Sequence, residues 1–171
     1  RSGWIFQQLV KLSGKIGTEE NYLCIDADHI LLKKHTFIDK KGIPVFYMSS
    51  ENHIPYYRNI KKILPTINLS KLSFVAHKMI FNKTQIAKLH KELEKHNGTS
   101  WINAILNSLD IKETSSFSEF ELYGNFIKKK HIRPWKQKQL SYKEISNYDN
   151  LKKKFSKYKS ITFPEWYSNS N

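Results

Sequence analysis

The chain has 171 residues, 39% hydrophobic and 26% charged, enough for one packed domain with a sizeable core and too short for a well-formed second one. Lys and Arg number 29 against 15 Asp and Glu, a formal net charge of +14, so nucleic acid, an anionic membrane or a phosphorylated substrate are the partner classes that the charge raises. The apolar stretches fall far short of a membrane span, no signal-peptide pattern opens the chain, and the single cysteine, Cys24, excludes both an intramolecular disulfide and a cysteine-built zinc knuckle.

In chain order, Trp4, Ile5, Gln8, Leu9 and Leu12 recur at helical spacing, and Gly14 ends that helix. Trp4 is expected in the core. Tyr22-Leu-Cys-Ile25 is a continuous apolar run, as in a buried strand of a mainly parallel sheet, with Cys24 as a small core residue. Asp39-Lys-Lys-Gly42 between Phe37-Ile38 and Ile43 to Tyr47 predicts a hairpin turn. Pro55 opens a helix that Pro65 stops. Ser73 to Phe81 reads as strand and Thr84 to Lys95 as the helix that follows it; further helices are predicted over Trp101 to Leu109, Ser118 to about Lys130 and Tyr148 to Tyr158, before a strand Ile161 to Phe163. The whole is α/β, a single domain over residues 1–171 whose part from 128 onward is basic.

Asp26-Ala27-Asp28 is the sharpest chemical feature. In an open α/β sheet ligands sit beyond the carboxyl ends of strands, and two carboxylates two apart there can share Mg²⁺ or Mn²⁺ and the phosphates it bridges. Alternation sends both side chains to one side. The second feature is Ser115 to Phe126, dense in polar and aromatic residues. Ser118 with Glu121 has capping-box spacing, which gives Glu121 a structural task. Glu119 then lies in the first turn, where the helix dipole lowers its proton affinity, so it acts as a base only if burial restores it. His77, flanked by Val75, Ala76 and Met79, is more simply a packing residue than a ligand, and Trp101 and Trp135 are better read as packing or surface aromatics than as sugar platforms.

Four segments taken together, Gly3-Trp4-Ile-Phe-Gln7-Gln8-Leu-Val-Lys-Leu12, Asn21-Tyr-Leu-Cys-Ile-Asp26-Ala-Asp28, Phe74-Val-Ala-His77-Lys-Met-Ile-Phe81 and Phe117-Ser-Glu119-Phe-Glu121-Leu-Tyr123-Gly124, resemble a bacterial glycosyltransferase family of the domain-of-unknown-function type (DUF6492-like) with an A-type glycosyltransferase fold. The resemblance covers residues 3–126. It implies metal-dependent transfer from a sugar-nucleotide donor to a glycan or lipid-linked acceptor, a cell-surface precursor at the cytoplasmic face of a bacterial membrane. Asp26 and Asp28 match the motif that holds Mn²⁺ or Mg²⁺ and the diphosphate. Glu119 and Glu121 become the catalytic candidates, and Gln7, Gln8, His77 and Tyr123 the substrate-binding ones. The fold normally has a nucleotide-binding half before the Asp-x-Asp strand. That half is expected upstream of Arg1, and the chain by itself is expected to be inactive and to self-associate through an uncovered sheet edge.

Two rivals compete. A basic nucleic-acid-binding module is motivated by the charge and by the aromatics among the lysines of Phe155 to Tyr158. Against it, only Arg1, Arg58 and Arg133 carry the guanidinium that readers of nucleic acid favour, and the lysines from Lys128 onward are most simply a solvated face, with anionic lipid as the functional alternative. A phosphohydrolase using Asp26 as nucleophile ranks third. Ile30 stands where that pattern has Thr or Val, and no adjacent aspartates follow downstream.

Overall fold

The computed structural model describes residues 2–165 and Tyr167. It is a mixed α/β structure of small sheets flanked by helices. In chain order the elements are α1 (Ser2–Leu12), β1 (Asn21–Ile25), β2 (His29–Leu31), β3 (Val45–Met48), α2 (Ile54–Ile63), β4 (Lys78–Asn82), α3 (Lys83–Asn97), α4 (Trp101–Ser108), α5 (Glu119–Phe126), β5 (His131–Pro134), β6 (Gln137–Gln139), a 3-10 turn Tyr142–Glu144, α6 (Tyr148–Lys154) and β7 (Ser160–Thr162).

β1 is not a strand of a parallel sheet. Among the described residues it pairs only with β4, antiparallel, Asn21 opposite Asn82 and Ile25 opposite Lys78. Its apolar run misled because only alternate residues are covered: Tyr22 is buried, whereas Leu23 and Ile25 are exposed and Cys24 is half-buried, as in a strand with one wet face. β3 pairs parallel with β5, and β7 lies between β2, antiparallel to it, and β6, parallel to it.

The strand expected over residues 73–81 is broken. Ser73 bridges Ser49, and regular pairing begins only at Lys78, after His77 at φ 56°. The turn at Asp39 to Gly42 forms as its residues require: Asp39 Oδ1 accepts from Lys41 N and Ile43 N, and Gly42 takes φ 74°, a conformation open to glycine at little cost. The helices expected over 118–130 and 148–158 stop early, at Phe126 and Lys154. β2, β5 and β6 are too short, or too polar, to have stood out in the sequence.

α5 is the hub. It touches α1, α2 and α3, and every residue from Glu119 to Asn125 is buried. Gly124 makes this possible, since a Cβ there would lie 2.3 Å from Cγ of Phe74. Around α5 the main core gathers Leu12, Phe46, Ile60, Phe74, Phe81, Leu89, Ile105 and Tyr123, while Leu32, Leu140, Leu151, Phe155, Ile161 and Phe163 form a smaller core under the basic C-terminal part. Trp4, expected inside, is 37% exposed. No helix among the described residues is long and apolar enough to cross a membrane.

Candidate metal centre

The backbone explains why Asp26 and Asp28 converge. Asp26 N donates to the His77 carbonyl at 2.9 Å, carrying the β1–β4 ladder one residue past its regular end, and His29 N closes a turn onto the Asp26 carbonyl at 3.0 Å. The Asp28 carbonyl accepts from Phe163 N at 2.9 Å and from Thr162 Oγ1 at 3.2 Å, so β7 fixes that residue from the other side. His77 is left-handed, a conformation that costs a non-glycine residue of order 1 kcal/mol or more and persists where its surroundings over-determine it.

One carboxylate oxygen from each aspartate and a ring nitrogen of His77 lie within 4.8 Å of one another. Asp26 Oδ2 is 3.2 Å from His77 Nδ1, and Asp26 Oδ1 accepts from Lys11 Nζ at 2.8 Å. Burial works to raise the Asp26 carboxyl, but His77 and Lys11 outweigh it and hold it at about 2. Asp26 is therefore anionic throughout the neutral range. The Asp28 carboxylate makes no hydrogen bond among the described residues, and neither does His77 Nε2, although it is buried. The cluster thus offers free ligand capacity. Two carboxylates and one imidazole suit Mn²⁺ better than Mg²⁺, which prefers an all-oxygen shell.

Beneath it lies a buried ion group. Lys11 Nζ donates at 2.8 Å to Glu119 Oε1 as well as to Asp26, and Gln8 Oε1 accepts from Glu119 N at 2.9 Å. Burial opposes the charge on Lys11, yet the two carboxyls raise its proton affinity above that of an ordinary lysine. Burial pushes the Glu119 carboxyl upward against the pull of Lys11, the reverse of the lowering expected from a first-turn position. The desolvation cost of a fully buried carboxylate here exceeds what the helix dipole and Lys11 return to its charged form.

Glu121 also departs from its expected part. The Ser118 hydroxyl does cap Glu121 N, but the Glu121 carboxylate does not reach back to complete a capping box. It accepts instead from Ser73 Oγ, Phe74 N, Tyr57 OH and Asn125 Nδ2, and burial pushes it up to about 7 despite these donors. This carboxylate ties α5 to the segment leading into β4. Of the substrate-binding candidates, His77 joins the aspartates and Gln8 supports Glu119, whereas Gln7 is exposed. Tyr123 sits near the other end of the β1–β4 ladder, where its hydroxyl accepts from Asn82 N.

Four site neighbours escaped the sequence reading. Lys11 was a lone lysine on the apolar stripe of α1, a detectable signal. Lys78, inside an apolar strand, was another. Its Nζ approaches His29 Nε2, Ser160 Oγ, Gln137 Oε1 and the Ala76 carbonyl, with no carboxylate partner among the described residues, and burial lowers it to about 7. His29 stacks on His77 with ring centres 6.0 Å apart, and Trp135 on His77 at 6.1 Å. Glu51 gave no signal. Its half-buried carboxyl is raised by burial, feels the charge of His77, and makes no side-chain hydrogen bond among the described residues.

The chain matches the family of unknown function DUF6492 over residues 2–160 and belongs to that family. No curated protein matches it.

Proposed function

Within that family, we propose that this chain is the metal-binding part of a glycosyltransferase of A-type fold, taking a sugar nucleotide as donor and a glycan or lipid-linked molecule as acceptor. The observation that carries the reading is the convergence of Asp26, Asp28 and His77 just past the end of β1, with the Asp28 carboxylate unengaged. These three residues would hold the cation, preferentially Mn²⁺, whose chemistry is to neutralise charge on a diphosphate leaving group. Lys11 keeps Asp26 in place and balances its charge. Glu51 is the carboxyl near the cluster that is free to accept a hydrogen bond from an acceptor hydroxyl. Glu119 and Glu121 act here by holding α5, Lys11 and the Ser73–Phe74 segment, each carboxylate being buried and already engaged.

Calorimetric titration with Mn²⁺ and a panel of nucleoside diphosphates tests this. Asp28→Asn and His77→Ala are each expected to weaken Mn²⁺ binding roughly tenfold or more, and the nucleoside diphosphate is expected to bind only with the metal present. Wild-type Mn²⁺ affinity in both variants would remove the centre from this place, and metal-independent nucleotide binding would remove the transferase reading.

A further inference from the structure

A cavity of about 910 Å³ opens near the other end of the β1–β4 ladder. Asn21 and Asn82 face each other there, whereas Ile25 and Lys78 lie beside the aspartates. At about 3.4 Å per residue, the strands separate their two ends by about 14 Å. The volume lies within the range of about 300–1,000 Å³ typical of ligand sites.

The lining has two kinds of chemistry. Ile38, Pro44, Ile67 and Phe126 are half-buried and give an apolar floor. Beneath it the structure is fixed, since Phe81 packs on Tyr123 with ring centres 4.7 Å apart, and Asn82 links Asn21 to the first turn of α3. The amides of Asn68 and Gln85 stand at the walls, and their side chains make no hydrogen bond among the described residues. Lys88, Lys128 and Lys129 are exposed at the rim with no ion pair among the described residues, and Glu92 is the one acid in the lining.

Flat apolar faces, free amides and unpaired ammonium groups complement a ligand with C–H faces, hydroxyls and negative charge. We propose that this cleft binds an acidic oligosaccharide. A single-strand reader would instead offer a series of aromatic faces for successive bases, whereas of the three lining aromatics only Phe126 is half-buried, Phe81 and Tyr123 being buried against each other. The cleft needs no cation, so this inference and the metal centre stand or fall separately.

The test is titration of the chain in EDTA with trigalacturonate, maltotriose, inorganic phosphate and a short oligothymidylate. Trigalacturonate is expected to bind at least tenfold more tightly than maltotriose. The pair Lys128→Glu and Lys129→Glu should weaken it about tenfold, and Gln85→Ala several-fold without any change of charge. Lys152→Glu with Lys153→Glu, the same charge change on α6, should leave it unaffected. The proposal is overturned if trigalacturonate does not bind, if the Gln85 and Lys128/Lys129 variants bind it as wild type does, if the α6 variant weakens it equally, or if phosphate or oligothymidylate displaces it charge for charge.

Discussion

Asp26 and His77 are joined twice, through Oδ2 and Nδ1 at 3.2 Å and through Asp26 N and the His77 carbonyl at 2.9 Å. The backbone link sets the distance between the two residues before any side chain is placed. The side-chain link then orients the ring, and the left-handed turn at His77 lets both occur together.

The two aspartates should separate in stability measurements. Asp26 has a folded pKa of about 2 against an ordinary 3.8, a difference that stabilises the fold by about 2 kcal/mol above pH 3.8 and is lost as pH falls through 2. Asp26→Asn is therefore expected to lower unfolding free energy by about 2 kcal/mol at pH 7. Asp28→Asn, which breaks no hydrogen bond, should stay within about 0.5 kcal/mol. Urea unfolding of both variants checks this, and equal losses would reveal a bond to the Asp28 carboxylate.

Glu121 and Lys78 give opposite dependences on pH. The raised Glu121 favours the protonated native state, so its contribution is full below 4.5 and is lost, by about 3 kcal/mol, as pH rises to about 7. Lys78, lowered from 10.5 to about 7, acts the other way: the unfolded chain binds the extra proton between these values, so stability rises by about 5 kcal/mol from pH 7 to 10.5. His29, held neutral by burial and by Lys78, opposes the Glu121 slope below pH 6.5. Each dependence is therefore read as a difference from wild type. The stability of Glu121→Gln relative to wild type should improve from pH 4.5 to 7, and that of Lys78→Met should decline from pH 7 to 10.5. A flat difference in either series would contradict the assigned burial effect.

Gly124→Ala is expected to be among the most damaging small substitutions. Its Cβ would meet the Phe74 ring at 2.3 to 2.7 Å, and Phe74, itself fully buried against Phe46, has no room to retreat. A loss of about 3 kcal/mol is expected, at the upper end for overpacking. Phe74→Leu in the same chain should recover part of it, giving a coupling energy of about 1 kcal/mol or more in a double-mutant cycle. Additive losses would mean that the helix relaxes without the ring.

Helices with regular apolar spacing were legible in the sequence: α2, α3 and α4 lie within a residue or two of their expected bounds, and the structure shows that their ends are set locally, by Pro55 in the first turn of α2, by the Asn82 and Ser100 side-chain caps and by Gly98 after α3. Sheet order was not. Tyr22 to Ile25 is as apolar as a strand buried on both faces, and only its partner decides which side is wet. The Asp26 and Asp28 pair was visible from spacing, but His77 joins it through a backbone conformation that its flanking residues do not encode. Glu121 illustrates the same limit, since three donors from other parts of the chain, Tyr57, Ser73 and Phe74, draw its carboxylate away from the reach back that a capping box needs.

The bonds from Phe163 and Thr162 to the Asp28 carbonyl have a consequence in time. Ribosomal synthesis delivers β1 well before β7, and chains emerge at about 5–20 residues per second. The first aspartate can settle against His77 once β4 has formed. The second gains its anchor only after more than 130 further residues have been made, so the arrangement of Asp26, Asp28 and His77 is completed only once β7 has emerged, and a polypeptide stalled or clipped before β7 would carry Asp28 unmoored.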